Sequence, residues 1–441
     1  MLRCIGVRRE DKSVWERRTP VTPSVARQLV QEHGIEVVVQ PSPTRAFSAA
    51  EFQQAGAAVE ESLSRCPVVF GIKEIPPAAL EPGKAYAFFA HVIKGQPYNM
   101  PMLRRLLELG CTLIDYERIV DDQGRRLIFF GWHAGVAGAL ETLWALGRRL
   151  AWQGIPTPFT QLRHAYEYHD IAEAKAAVLA VADQVRQEGL PPAILPLTVG
   201  VVGYGNVARG VWEVLNLLPI QRVEPADLLA GLPEAAPGTD PRRTIYAATF
   251  REEHTVRPDD PTQPFDLQHY YAHGHLYRGA FESYLPALSV VINAVYWDAR
   301  YPRLVTKEGL RRLFAAGPVK LQVIGDISCD IEGAMECTVK ATEPGEPNYV
   351  YNPLTGQVVD GVEGEGVVVM AVDILPSELP RDASEDFSRA LAPFIPALVS
   401  ADYSAPFEAL ALPPEIKRAV IAHRGELTPA YRYLEQHLSA V

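Results

Sequence analysis

Apolar residues over the first 115 positions fall in short runs separated by stretches of helical period, the pattern of strands and helices that alternate to build a parallel sheet. Arg3–Val7 reads as a strand. Thr22 and Pro23 then open a helix whose apolar positions Val25, Leu29 and Val30 stop at Gly34. Further strands are predicted at Ile35–Val39, Val68–Ile72, Tyr86–Ala90 and Cys111–Asp115, with a helix over Pro101–Leu109. Glu117–Phe130 reads as a hairpin turning at Asp122-Gln123-Gly124, and Ala134–Trp152 as a long helix of small residues where the chain crosses into a second domain. After the Pro-rich Ile155–Pro158, a helix over Ile171–Gln187 leads to strands at Leu197–Val202, Ser289–Val295 and Leu321–Ser328. Between Asp227 and Phe281, Pro, Tyr and His dominate without period, so a long irregular excursion is expected. Val367–Ile374 reads as a strand, and the helices that follow it, from Asp386–Val399 on, are expected to pack back on the first domain.

This order predicts an α/β protein of two Rossmann-like domains with a cleft between them, the dinucleotide-binding domain being inserted into the substrate domain. The expected boundaries are 1–135 for the first part of the substrate domain, 136–365 for the dinucleotide domain and 366–441 for the returning segment. A chain of 441 residues, 48% hydrophobic and 22% charged, is able to bury two cores. Net charge is −11 and no basic cluster stands out, which argues against nucleic acid and points to small-molecule partners. Neither a secretory signal nor an apolar run of membrane-spanning length is evident. Five scattered cysteines (Cys4, Cys66, Cys111, Cys329, Cys337) without CxxC spacing read as reduced thiols of a cytoplasmic protein, in which a homo-oligomer remains open.

The sharpest local motif follows the Leu197–Val202 strand, Gly203-Tyr204-Gly205-Asn206-Val207-Ala208, and opens a predicted helix. Gly203 permits the tight turn, Gly205 lets the backbone approach a pyrophosphate, and Ala208 is small enough for the helix to lie against the strand. The amides of Asn206 and Val207 at the helix start add to the anion site. Glu224 stands at the distance where an acid bonds a ribose hydroxyl, whereas Arg222 beside it suits a 2′-phosphate. On these residues alone NAD and NADP both remain open.

In the first domain, charges stand where apolar strands end: Glu16-Arg17-Arg18, Lys73-Glu74 and His91. The carboxyl ends of strands face the ligand crevice of an open α/β sheet, and Lys, His and Arg there can hold a carboxylate and move protons near neutrality. Glu117 and Arg126, on the predicted hairpin, are candidates for the same crevice. His269, His273 and His275 lack a carboxylate or thiol partner in sequence, and no metal is expected.

The chain resembles the lysine-ketoglutarate reductase family, the saccharopine-forming half of bifunctional lysine-degrading enzymes. The resemblance is carried by Gly71-Ile-Lys-Glu-Ile, Ala87-Phe-Phe-Ala-His-Val-Ile-Lys-Gly-Gln, Phe130-Gly-Trp-His-Ala-Gly, Asn293-Ala-Val-Tyr-Trp, Gly325-Asp-Ile-Ser-Cys-Asp and Val372-Asp-Ile-Leu-Pro-Ser-Glu-Leu-Pro. More remotely it is similar to the alanine dehydrogenases. The resemblance implies condensation of the L-lysine ε-amine with 2-oxoglutarate and reduction of the imine by NADPH, with NADH as the other possibility. It also implies Lys73 as base and His91 as proton shuttle, Arg18 and Arg126 as carboxylate clamps, Glu117 as partner of the substrate ammonium and Asp330 as an acid near the nicotinamide. Glu74 is placed with the substrate-binding residues, and since a carboxylate close to Lys73 would oppose its use as a base, its side chain is expected to point elsewhere or to tune Lys73. Two departures stand out. Tyr204 occupies a position where relatives tend to carry a small or hydroxylic residue, and no saccharopine dehydrogenase half follows, so a free-standing reductase is expected. The rival readings are an amino-acid dehydrogenase of the alanine dehydrogenase type, distinguished by the use of Glu117, and a catalytically silent binding protein of the same fold.

Overall fold

Runs of Val, Ile, Ala and Phe too short for helices form the strands, and most are buried on both faces, as parallel sheets require. In a computed structural model, which describes residues 3–232 and 240–438, the strands are β1 (Cys4–Val7), β2 (Glu36–Val39), β3 (Ala58–Val59), β4 (Val68–Phe70), β5 (Ala85–Phe88), β6 (Thr112–Asp115), β7 (Leu197–Val202), β8 (Ile220–Arg222), β9 (Ile245–Phe250), β10 (Val256–Pro258), β11 (Tyr277–Gly279), β12 (Val290–Asn293), β13 (Val323–Asp326), β14 (Asn348–Tyr351), β15 (Val358–Asp360), β16 (Val367–Met370), β17 (Val420–His423) and β18 (Glu426–Leu427). The chain divides into two compact units, Met1–Phe130 with Pro380–Val441, and Gly131–Leu379.

The first unit holds an eight-stranded sheet ordered β18-β17-β6-β5-β4-β1-β2-β3, parallel from β6 through β3, with β17 antiparallel to β6. Its helix Pro23–His33 starts on a proline and ends at Gly34, whose φ of +59° only glycine adopts without strain. The helix Pro380–Leu391 returns to this unit, and Ser384 and Ser388, one turn apart on it, accept the backbone N–H groups of Thr19 (2.9 Å) and Thr22 (3.0 Å). The segment between β1 and the first helix is thereby fixed just where it carries Arg18. The predicted hairpin over Glu117–Phe130 reduces to one bridge, between Val120 and Arg126, because Asp121 gathers the turn's N–H groups instead.

The second unit holds a sheet ordered β15-β14-β16-β13-β12-β7-β9-β8, in which β14 and β15 are antiparallel and the rest parallel. Three expectations are corrected here. The strand at Val367–Met370, expected to lead the return to the first unit, pairs with β13, so the second unit runs on to Leu379. Its four residues are all buried, and a strand buried on both faces gives no clue to which sheet will take it. The stretch Asp227–Phe281, expected to be irregular, contains β9, which pairs directly with β7. Residues 233–239 of that stretch lie outside the described residues. The long helix begins at Gly131, earlier than Ala134.

The small residues of that helix have a specific cause. A Cβ added to Gly135 would stand 1.9 Å from the Val207 carbonyl oxygen, and one added to Gly210 would stand 2.0 Å from that of Trp132. Helices Gly131–Trp152 and Asn206–Leu215 therefore cross backbone to backbone. Gly135→Ala and Gly210→Ala should each destabilise the fold by about 1–3 kcal/mol, as overpacking does. Thermal unfolding checks this, with a melting temperature within a degree of wild type as the contrary outcome.

Candidate active site

In the first unit, the ends of β1, β4 and β5 deliver the sequence-predicted residues to one place. Lys73 and Glu74 follow β4, and His91 follows β5 with φ +48°, a left-handed conformation uncommon for a residue bearing a side chain. His91 Nδ1 lies 2.8 Å from Glu74 Oε1. The other Glu74 oxygen receives Lys12 Nζ at 2.6 Å, and Asn99 Nδ2 approaches Oε1 at 3.3 Å. Burial pushes the Glu74 carboxyl up, but the bonds from His91 and Lys12 outweigh it and hold the group well below the usual carboxylate range. An ionised Glu74 fixes the imidazole by its Nδ1 and leaves Nε2 for exchange.

Lys73 lies beside two opposed charges, Glu16 and Arg18. Arg18 Nε and Nη2 donate to the two Glu16 oxygens at 2.8 and 2.6 Å, and the guanidinium lies over the Phe130 ring at 4.2 Å. Both partners are buried, at 4% and 3% side-chain exposure, so this pair is strongly held. Burial and then the Arg18 charge lower the Lys73 pKa, against the pull of Glu16 and Glu74. A lysine so placed gives up its proton below the ordinary lysine range.

Two expectations are modified by these contacts. Arg18 is not an empty clamp, because Glu16 takes two of its donors. Glu117 and Arg126 bind each other, Arg126 Nη2 donating to Glu117 Oε1 at 2.7 Å, so each would meet a substrate already paired with the other. The pair stays close to the site through Asp115, which accepts the Glu117 N–H at 2.9 Å. Burial raises the Asp115 carboxyl to about 7, while the positive field of His91 acts to lower it. Asp115, Glu10, Lys12 and Asn99 were not singled out from sequence. Glu16 was, as part of the charged run that ends in Arg18.

In the second unit, Gly203 has φ +106°, and a Cβ on it would stand 2.9 Å from the Ala294 carbonyl oxygen. Gly205, the residue capping the helix from Asn206, would find nothing within 4 Å of an added Cβ. Glycine is needed at the first position by the fold. At the second it leaves open space before a helix N-terminus, as an approaching phosphate requires. Ala208 is fully buried, and the Val207 carbonyl faces Gly135, so these two pack the helix.

A cavity of about 420 Å³ adjoins this turn, lined by Gly203, Gly205, Phe250, Tyr271, Val295 and Trp297 among others. Aromatic and apolar walls beside a glycine turn fit an adenine or nicotinamide ring. A second cavity, of about 460 Å³, is shared by Tyr204, Arg209, Arg222, Glu224, Arg251 and His254. On this side of β7 the neighbouring strand is β9, with β8 beyond it, so Arg251 at the end of β9 shares the second cavity with Arg222 and Glu224. Arg222 is stacked over Trp212 at 3.4 Å and bonds Asn216, and Glu224, which lines the same cavity, caps the helix Pro225–Ala230. Sequence reasoning missed Arg251. It stands over Tyr204 at 4.8 Å, and Glu252 beside it accepts the hydroxyls of Tyr204 (3.3 Å) and Tyr271 (2.7 Å). Asp330 lies exposed just past β13, near Asp326 and Cys329. His269 lies 3.0 Å from the Tyr277 hydroxyl through Nδ1, and no group of three or more His, Cys, Asp or Glu placed to hold a metal occurs among the described residues.

Residues 6–137 match the family profile of the alanine dehydrogenase/PNT N-terminal domain, and residues 267–430 match that of its C-terminal domain. The chain is 38% identical over 442 residues to the alpha-aminoadipic semialdehyde synthase of Arabidopsis thaliana, covering 98% of this chain and 41% of that protein. It thus spans less than half the length of that relative. To the saccharopine dehydrogenase [NAD(+), L-lysine-forming] of Neurospora crassa it is 28% identical over 408 residues, covering 88% and 89% of the two chains. The solved structure of an L-alanine dehydrogenase superposes with a TM-score of 0.63 at 19% identity, covering 99% of each chain, which shows the shared fold.

The two glycines separate fold from ligand. Gly203→Ala should lower the melting temperature by several degrees through its backbone conformation and contact, whereas Gly205→Asn, a competent helix cap, should leave stability near wild type. Gly205→Asn should nevertheless weaken nicotinamide dinucleotide binding at least about tenfold, read by fluorescence titration. Equal binding by wild type and Gly205→Asn would refute the assignment of this turn.

Proposed function

The chain belongs to the alanine dehydrogenase/PNT family, and from that premise we propose that it is an oxidoreductase condensing L-lysine with 2-oxoglutarate and reducing the resulting imine to saccharopine. The observation that carries the reading is the Lys73–Glu74–His91 group, a half-buried lysine of lowered pKa followed by the ionised carboxylate that locks the histidine. The near end-to-end match to part of a semialdehyde synthase supports it, as does the name of the Neurospora relative, which joins saccharopine to lysine.

Each residue has a task that the chemistry demands. The substrate ε-ammonium must lose a proton before its nitrogen can attack the keto carbon, and neutral Lys73 Nζ takes it. The carbinolamine then loses water as His91 Nε2 delivers a proton to the departing oxygen. Glu74 holds Nδ1 throughout, so the ring keeps one orientation during both transfers. Arg18 keeps its Nη1 side for a substrate carboxylate while Glu16 steadies the guanidinium. A nicotinamide cofactor, when bound, supplies the hydride that reduces the imine carbon. We assign its binding to the second unit, with the phosphates at the Gly203–Gly205 turn.

The cofactor we propose is NADPH. Arg251 stands at the end of the strand beside β7 and shares its cavity with Arg209, Arg222 and His254, against the carboxylates Glu224 and Glu253. Cations in this position favour a 2′-phosphate over a free hydroxyl. Arg251→Ala should therefore weaken binding of 2′,5′-ADP about tenfold or more while leaving 5′-AMP almost unaffected, measured by calorimetric titration. Tighter binding of NADH than of NADPH by the wild type would overturn this choice.

Two kinetic outcomes test the mechanism. Lys73→Met and His91→Gln should each lower kcat by about 100- to 10,000-fold in NADPH oxidation with lysine plus 2-oxoglutarate, and leave dinucleotide affinity unchanged. Because the Arg18 cation lowers the Lys73 pKa, Arg18→Met should move the acid limb of the pH–rate profile to higher pH, besides raising the KM for 2-oxoglutarate. Turnover with ammonia plus pyruvate exceeding that with lysine plus 2-oxoglutarate would replace the reading with an amino-acid dehydrogenase.

A further inference from the structure

The parallel ladder between β1 and β4 ends with the N–H of Arg8 bonded to the carbonyl of Phe70 at 3.0 Å. Past that point the backbone following β1 departs, and the next amides along the chain after β4 need other acceptors. Gly71 turns its N–H to Ala87 at 3.0 Å. The two following amides, of Ile72 and Lys73, both point at the side chain of Glu10. Ile72 N–H reaches Oε1 at 2.7 Å and Lys73 N–H reaches Oε2 at 2.9 Å. One carboxylate thus replaces the missing strand exactly where the chain bends to present Lys73.

We propose that Glu10 is a positioning residue, whose carboxylate sets where Lys73 stands by holding the two consecutive backbone N–H groups at the end of β4. This rests on the reading of Lys73 as the base. Only a carboxylate offers two acceptors and no donor in this space. The charged and titratable groups around it are Glu16 and Arg8 on its own segment, Arg45 after β2 and Tyr116 after β6. Burial, then the Glu16 charge, raise the Glu10 carboxyl to about 7 against its two backbone bonds. Protonation would convert one acceptor into a donor facing an N–H. Lys73 is then held least well below neutral pH, and its placement improves as pH rises through about 7.

The test uses Glu10→Gln, which keeps the shape and gives up one acceptor, alongside Glu10→Asp and Lys73→Met. Measured quantities are kcat, the KM values for lysine and 2-oxoglutarate, the Kd for NADPH, and the pH dependence of kcat over about pH 6 to 9. Glu10→Gln should lower kcat about 10- to 100-fold with both KM values and the Kd within about threefold of wild type. Its pH profile should keep the acid limb that Lys73 sets and lose only the further fall near 7 that the Glu10 carboxyl adds in wild type, and Glu10→Asp should recover part of the loss. A kcat within twofold of wild type in Glu10→Gln, with Lys73→Met inactive, would overturn the inference and leave the functional reading standing. A joint loss of kcat, NADPH affinity and thermal stability in both Glu10 variants would also overturn it, as the mark of a merely structural residue. Should Glu10→Gln fail to fold, Glu10→Asp decides by the same division of kcat from KM. Full activity of Lys73→Met would instead remove the premise.

Discussion

Keeping a half-buried lysine short of full ion pairing is the demand to which the first unit's charge arrangement answers. An ammonium removed from water is unstable unless it loses its proton or gains a partner, and a general base needs the first outcome without the second becoming complete. Lys73 sits between the two. Arg18 opposes its charge, Glu16 and Glu74 favour it, and each of those three is committed elsewhere: Arg18 with Glu16, Glu74 with His91 and Lys12. Because the carboxylates are already paired, their pull on Lys73 is weakened, and burial decides the direction. A simple Lys–Glu ion pair at this place would raise the lysine pKa and end its use as a base.

The same economy explains why the site stands on parallel strands. Their carboxyl ends all open on one edge, so residues that are distant in sequence arrive together without long loops. It also creates a deficit, since each strand end leaves amides without a ladder partner. Ser384 and Ser388 meet that deficit beside Arg18, and Glu10 meets it at Lys73. In both cases a side chain that satisfies the backbone also fixes the neighbouring functional group. Stability and geometry of the site are then two consequences of one set of hydrogen bonds.

Much of this was legible from sequence, and the limits are physical. Lys73, Glu74 and His91 stand directly after apolar runs, so their position at strand ends follows from hydrophobic pattern alone. Gly203 and Gly205 follow β7 in the same way. What pattern does not carry is lateral order. Nothing along Ile245–Phe250 says that it lies beside β7, because a strand buried on both faces has no polar alternation, and so Arg251 at its end was not considered alongside Arg222 and Glu224. Nor does pattern disclose pairing: Glu117 and Arg126 are attractive separately as substrate ligands, and only the fold shows them bound to each other. The strand Val367–Met370 was recognised as a strand but expected to lead back to the first unit, because burial on both faces hides which sheet takes it.

Strand order also bears on how a Rossmann-type unit can tolerate an edge such as β8. In the usual arrangement the acid that reads the ribose follows the strand next to the glycine turn, about twenty residues on. Here β8 lies one place farther out, and the residues that the spacing rule selects, Arg222 and Glu224, line the same cavity as Arg251 at the end of β9. Glu252, one residue past Arg251, is held by the hydroxyls of Tyr204 and Tyr271. Two phenol donors to one carboxylate leave it less able to accept from a ribose hydroxyl, and they draw Tyr204 toward the end of β9. Tyr204, bulky for a residue between two turn glycines, thereby has a structural role: its ring supports Arg251 by a cation–π contact while its hydroxyl occupies the competing acid. The residue that looked out of place in the glycine motif is the one that leaves the cation exposed to a ligand and the carboxylate engaged.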